Sequence, residues 1–289
     1  MCIRDRYKIR YVNSLKEILN PARDYGMNHD ALLAGDPRFR MSLAAVPDPV
    51  GEEHTRSTGT FQARMLPGTR LTDLPGTRTE VDSIGAMLES RGWECRVLTG
   101  NGASEEAVTS ASNPRVLHLA THGFFAPSEE RTVDTLSMDT RGYYNINWES
   151  YARSCLFLAG AQNTLYYAYD YQEGSSDGIL TSWEIMEMAL DSTELVVLSA
   201  CESGLGDIYD SEGVYGLRRA FHLAGAGRVL ISLWEVDDQA TQLLMREFYT
   251  KWLGGMAMDE ALVAAKQYLR TETPYSHPRY WAAFILSGI

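Results

Sequence analysis

The chain has 289 residues, 45% hydrophobic and 22% charged, which is enough apolar material for one large domain with an appendage or two small ones. A net charge of −12 argues against a general nucleic-acid binder, whose phosphates reward lysine and arginine, and suits a basic substrate or partner segment. Cys2, Cys95, Cys155 and Cys201 show neither CxxC nor framework spacing, and no membrane-length apolar run or signal pattern occurs. A zinc site, a disulfide scaffold, a membrane span and secretion are therefore not expected, and a reducing cytoplasm is.

In chain order, the opening Met-Cys-Ile-Arg-Asp-Arg resembles translated adapter sequence, so the true start is expected to be missing. Residues 1–37 are polar and weakly periodic and read as the tail of an upstream module, with one short amphipathic helix over Tyr11, Leu15, Ile18 and Leu19. Residues 38–289 form the domain proper. Its first strand is expected at 40–46, and 50–76 has the Gly, Pro and Thr content of loops. Thr77-Arg-Thr-Glu80 has capping-box spacing ahead of a helical stripe at Val81, Ile84 and Leu88. A strand at 94–98 and a helix opened by Ser104 come next. The apolar run Arg115-Val-Leu-His-Leu-Ala-Thr-His122-Gly123 is a buried strand, followed by a long loop and a small strand near Cys155. Asp177-Gly-Ile-Leu-Thr-Ser-Trp-Glu-Ile begins a helix, and Leu195-Val-Val-Leu-Ser-Ala-Cys201-Glu-Ser-Gly204 is a second buried strand. A helix over 214–224, a strand from Val229 to Trp234, two helices with stripes at 244–252 and 262–269, and a closing strand over 280–286 complete the chain. Strands alternating with helices, each strand nearly continuously apolar, predict a mostly parallel sheet with helices on both faces.

Two of those strands end on reactive side chains. Strand carboxyl ends of a parallel sheet share one edge, so a base on one can meet a nucleophile on the next. A thiol becomes a nucleophile when a neighbour helps form its thiolate, and His122 is the candidate base for Cys201. Either residue alone would ordinarily be structural; together at strand ends, each followed closely by glycine, they point to chemistry. The N–H groups of Gly123 and Cys201 are the candidate oxyanion donors. His118 lacks a third ligand at metal spacing and reads as a hydrogen-bonded strand histidine. Asp177 reads as a helix cap ahead of a substrate contact. Neither a metal nor a cofactor is called for.

The histidine precedes the cysteine by 79 residues (122 to 201), the order found in caspase-like proteases. At this point the chain resembles the CHAT domain, a caspase-like module often fused behind tetratricopeptide repeats. The likeness rests on LPGTRTEVDSI, VLTGNGASEEAV, RVLHLATHGFF, DGILTSWEI, LVVLSACESGLGD, GVYGLRRAFHLAGAGRVLISLWEVDDQAT and WAAFILSG, over 38–289. It implies a caspase–hemoglobinase-like α/β sheet and a cysteine endopeptidase with His122 as base and Cys201 as nucleophile. It also implies a protein or peptide substrate, an upstream repeat or sensor module, and a bacterial signalling or defence role. Ser199-Ala-Cys-Glu-Ser-Gly replaces the caspase Gln-Ala-Cys-Arg-Gly, which leaves substrate preference open. Trp234-Glu235-Val-Asp237-Asp238 resembles a separase segment, which implies an acidic pocket from Asp238 with Glu235; helix capping is the plainer role of the two aspartates. Loops 124–155 and 202–213 are candidate activation or substrate segments. A silent interaction scaffold on the same fold, or a small-molecule esterase or amidase, is the alternative reading.

Overall fold

The computed structural model describes residues 25, 28–41, 70–125, 154–167, 176–199, 201–202, 211–234 and 236–288, and at 125, 166–167, 201–202 and 211–215 the backbone alone. Its strands are β1 (Asp30–Pro37), β2 (Glu94–Gly100), β3 (Val116–Ala120), β4 (His122–Phe125), β5 (Ser154–Phe157), β6 (Ile179–Thr181), β7 (Leu195–Leu198), β8 (Cys201–Glu202), β9 (Arg228–Ser232) and β10 (Phe284–Gly288). Its helices are α1 (Pro75–Glu89), α2 (Glu105–Thr109), α3 (Ala161–Tyr167), α4 (Ser182–Glu187), α5 (Ser211–Leu223), α6 (Asp238–Leu253) and α7 (Met258–Glu272).

Six strands form the main sheet in the order β10-β9-β7-β3-β1-β2. All pairs are parallel except β10 with β9. Alternation along each strand splits the core in two, because successive side chains leave opposite faces. Leu33, Val116, Val197 and Leu230 pack under α1, α6 and α7 with Ile84, Leu88, Leu244, Phe248 and Leu262. Leu32, Leu117, Val196 and Val229 pack on the other face with Val108, Ile185, Leu217 and Phe221 from α2, α4 and α5. Each fully buried aliphatic side chain adds about 1.5–3 kcal/mol. Because both faces of the central strands β3, β7 and β9 are covered, those strands read as nearly unbroken apolar runs, whereas the edge strand β2 is largely exposed. The result is the expected α/β arrangement, a mostly parallel sheet with helices on both faces.

A second sheet, β6-β5-β4-β8, lies beyond the carboxyl ends of β3 and β7. Its β4–β8 pair is parallel, and the β4–β5 and β5–β6 pairs are antiparallel. Phe39, Cys155, Phe157, Leu165 and Ile179 form its own small core.

Three sequence expectations are corrected, and a fourth lies mostly outside the described residues. β1 lies inside the stretch set apart as a tail: Ala31 to Ala34 are buried and pair with both β2 and β3. Its short apolar run, closed by Gly35-Asp-Pro, hides a central strand. The strand expected over 40–46 falls mostly outside the described residues, and Arg40 sits in a bend. Helix α1 starts at Pro75, whose ring presets the helical φ, so Thr77 and Glu80 form no capping box. Residues 177–178 turn into the strand β6 at Ile179–Thr181, and the helix begins only after Thr181, which forms a capping box with Glu184.

Gly35 decides how closely α1 docks on β1. A Cβ there would come within 2.8 Å of the Thr77 carbonyl and 2.9 Å of Val81 Cγ1. The contact is locked by Asp36 N–H donating to Thr77 Oγ1 at 2.8 Å, with Asp36 in the left-handed region at φ 49°. This docking brings the segment ahead of α1 over the end of β3.

Candidate active site

His122 opens β4 and is buried, with 4% of its surface exposed. Its Nε2 lies 2.8 Å from the Thr72 carbonyl and 3.4 Å from Thr72 Oγ1. A carbonyl only accepts, so Nε2 carries the hydrogen, and in the neutral ring Nδ1 carries the lone pair. The Phe39 ring stacks on the imidazole with centroids 5.2 Å apart and planes 29° apart. Gln162 ties these two supports together. Its backbone N–H donates to the Phe39 carbonyl at 3.0 Å, and its Oε1 accepts from Leu71 N–H at 2.6 Å. One residue of α3 thus fixes both the ring above the histidine and the carbonyl at its edge.

Cys201 opens β8 and is the register partner of His122 in the parallel β4–β8 ladder, with Gly123 beside Glu202. Neighbouring strands in such a ladder lie about 4.8 Å apart. The same register already holds in the main sheet, where His118 pairs with Val197 and Leu119 with Leu198. Two chain segments therefore leave the main sheet side by side and enter the small sheet without slipping. Between the ladders, Ser199 N–H donates to the Leu119 carbonyl at 3.0 Å, and the Thr121 hydroxyl donates to the Phe157 carbonyl on β5.

A buried polar group sits beneath this junction. Glu80, 2% exposed, places Oε1 2.9 Å from His118 Nε2 and accepts from Ser199 Oγ with Oε2 at 3.1 Å. His118 Nδ1 lies 3.2 Å from the Tyr249 hydroxyl. Burial first, then the nearby Glu80 and Cys95, hold the Tyr249 phenol well above its ordinary pKa, so it stays a donor. The partners match an Nε2–H tautomer of His118, which is the hydrogen-bonded strand histidine expected of it.

The family model described as CHAT domain matches residues 3–289. The chain belongs to the CHAT domain family. Tetratricopeptide repeat protein 28 of Homo sapiens is 30% identical over 228 residues, covering 74% of this chain and 8% of that protein. Its Mus musculus counterpart is 29% identical over the same length and shares. This chain thus spans under a tenth of these eukaryotic relatives. Among solved structures, one chain of the Saccharomyces cerevisiae separase–securin complex aligns over 91% of this chain and 12% of its own length. The TM-score is 0.43 and the identity 12%, a likeness too loose to argue from.

The remaining residues singled out in this CHAT domain fall into place unevenly. Gly123 is buried directly after His122. Glu235 lies outside the described residues, as do most of 124–155 and 202–213. Asp237 caps α6, its Oδ1 accepting from Ala240 N–H at 3.0 Å. Asp238 is the exposed first residue of α6 and packs on Gly76: a Cβ there would meet its Cβ at 3.2 Å and Oδ2 at 3.5 Å. Its carboxylate therefore lies at the amino end of α1, four residues along from Thr72, where a negative charge also favours the helix dipole.

Asp177 caps no helix; its Oδ1 accepts from Ile179 N–H at 2.8 Å and shapes the turn into β6. That turn is gripped by Glu105, whose Oε2 accepts from Ser176 Oγ at 3.2 Å, Asp177 N–H at 3.1 Å and Gly178 N–H at 2.9 Å. Burial first, then Glu184 and Asp177, push the Glu105 carboxyl up to about 7. The same region silences Cys155, whose thiol is raised by complete burial and then by Asp177 and Glu184. Among the described residues no group of three or more His, Cys, Asp or Glu is arranged to hold a metal ion. Nor is any helix among them long and apolar enough to cross a membrane.

Sequence reasoning missed Thr72, Phe39, Gln162 and Glu80. Only Glu80 left a signal: it shares the buried stripe of Ile84 and Leu88 at fourfold spacing, where a lone carboxylate calls for buried partners.

Proposed function

We propose that this CHAT domain is a cysteine endopeptidase in which His122 is the general base and Cys201 the nucleophile. The observation that carries the reading is their shared rung at the start of β4 and β8. The Thr72 carbonyl supports it by holding Nε2–H, which leaves Nδ1 the basic nitrogen. In this reading Nδ1 takes the thiol proton as sulfur attacks the scissile carbonyl carbon. The N–H groups of Gly123 and Cys201 hold the resulting oxyanion. Collapse expels the amine, which takes the proton from His122, and leaves a thioester on Cys201. Water then adds to the thioester with His122 accepting its proton, the C–S bond breaks, the Cys201 sulfur regains that proton from His122, and the acid product departs.

Substrate choice follows from charge. Asp238, exposed near the Thr72 segment, supplies an acidic wall for a basic side chain ahead of the cut, and Glu235 is assigned to the same pocket. The net charge of −12 favours the approach of a basic segment. The repeat-bearing relatives support a tetratricopeptide-type module working with this domain, and the protein is assigned to the cytoplasm.

Cleavage of a positional peptide library tests the proposal. Wild type is expected to cut after Arg or Lys, Asp238→Asn to lose that preference, and Cys201→Ala to cut nothing. Cleavage that survives in Cys201→Ala overturns the protease reading, and a preference for acidic or small residues removes the pocket. An interaction scaffold predicts no turnover in any variant.

A further inference from the structure

We propose that Glu80 is a positioning residue for the His122–Cys201 pair, clamping the two strands in register just before they enter the small sheet. The inference rests on the dyad reading above and adds the group that sets its geometry. Among the described residues the β4–β8 ladder spans two rungs. A slip of one residue there would turn every side chain of the strand to the opposite face, so a contact upstream that fixes the pairing bears directly on the dyad. Glu80 is placed to make that contact: one carboxylate oxygen meets His118, four residues before His122, and the other meets Ser199, two before Cys201.

The carboxylate bridges His118, two residues before β3 ends, and Ser199, the residue that follows β7. Its third attachment is α1 itself, the helix whose leading segment supplies the Thr72 carbonyl to His122. Tyr249 completes the support from α6 by donating to His118, so the imidazole cannot turn away from Glu80 without losing a buried partner. Charged and titratable groups facing Glu80 are therefore His118 from β3 and, through it, Tyr249 from α6. A purely structural hydrogen bond would need only His118. The second oxygen on Ser199 ties the carboxylate to the cysteine strand.

Iodoacetamide alkylation of Cys201 at neutral pH, followed on the full chain by mass spectrometry of the Cys201 peptide, reads this positioning without a known substrate. Four proteins form a cycle: wild type, Glu80→Gln, His122→Ala and the double variant. Glutamine keeps the shape but replaces one acceptor by a donor, so Glu80→Gln is expected to slow alkylation about tenfold, the effect of losing one charge-assisted hydrogen bond. His122→Ala is expected to slow it too, and the double variant to be no slower than His122→Ala alone, because both act through one geometry. Ser199→Ala runs through the same cycle and carries the test if Glu80→Gln fails to fold. Wild-type rates in Glu80→Gln and Ser199→Ala overturn the clamp while leaving the dyad. So does a slowing that is equal with and without His122, as a general loss of structure would give. A wild-type rate in His122→Ala alone sinks the dyad reading, and the clamp with it.

Discussion

His122 and Cys201 occupy one rung of a parallel ladder, and the same offset already pairs His118 with Val197 one sheet earlier. The rung is thus inherited from the main sheet, where the buried strands β3 and β7 pair over four rungs. The geometry of the proposed His122–Cys201 pair is a consequence of core packing, carried across a break by Ser199, Thr121 and Glu80.

Gln162 should matter more than its distance from the chemistry suggests. Gln162→Leu leaves the Leu71 N–H without its acceptor, at a cost of about 1–3 kcal/mol, and releases the Thr72 carbonyl. Thermal unfolding should fall by several degrees, and alkylation of Cys201 should slow. Gln162→Glu keeps an accepting oxygen and should restore the alkylation rate. Equal rates in all three proteins would remove Gln162 from the account.

The cysteines should separate by reactivity. Burial and then Glu89 push the Cys95 thiol up to about 11, so under about a thousandth of it is thiolate at pH 7.5. Cys155 lies higher still and is fully buried. Limited alkylation at pH 7.5, mapped by peptide mass spectrometry, should therefore modify Cys201 well before Cys95 and Cys155. Faster labelling of Cys155 would show that the small sheet opens, against its buried core.

Much of this was legible beforehand, for physical reasons. Strands covered on both faces must be apolar throughout, so the runs ending at His122 and Cys201 stood out, as did the helical stripes of α1, α6 and α7. What hid was short or dual in meaning. β1 shows too few apolar residues to be told from a loop, yet it is central. Glu80 fits a capping-box spacing, and only the earlier start at Pro75 frees it for His118 and Ser199. The turn at Asp177 resembles a helix start because the true cap, Thr181, lies four residues on. Thr72 acts through its backbone carbonyl, which no side-chain pattern reports.

Glu105 should impose a pH slope on stability. Its folded pKa, about 7, lies above the ordinary glutamate value, so between the two the folded state binds more protons than the unfolded one. Its contribution to stability is therefore largest at low pH, declines as pH rises towards 7, and is flat beyond. Thermal melts at pH 5.5 and pH 8 should show wild type losing more than Glu105→Gln over that interval. Glu105→Gln should be the more stable of the two at pH 8, since its oxygen still accepts from Gly178 N–H. Identical slopes in both proteins would contradict this.

The most direct measurement is covalent capture by an arginine-bearing peptidyl acyloxymethyl ketone, read by intact mass and peptide mapping of the full chain. The account predicts a single adduct on Cys201 in wild type and no capture in His122→Ala. Capture of Cys201 at an undiminished rate in His122→Ala, or an adduct on another residue, would contradict it.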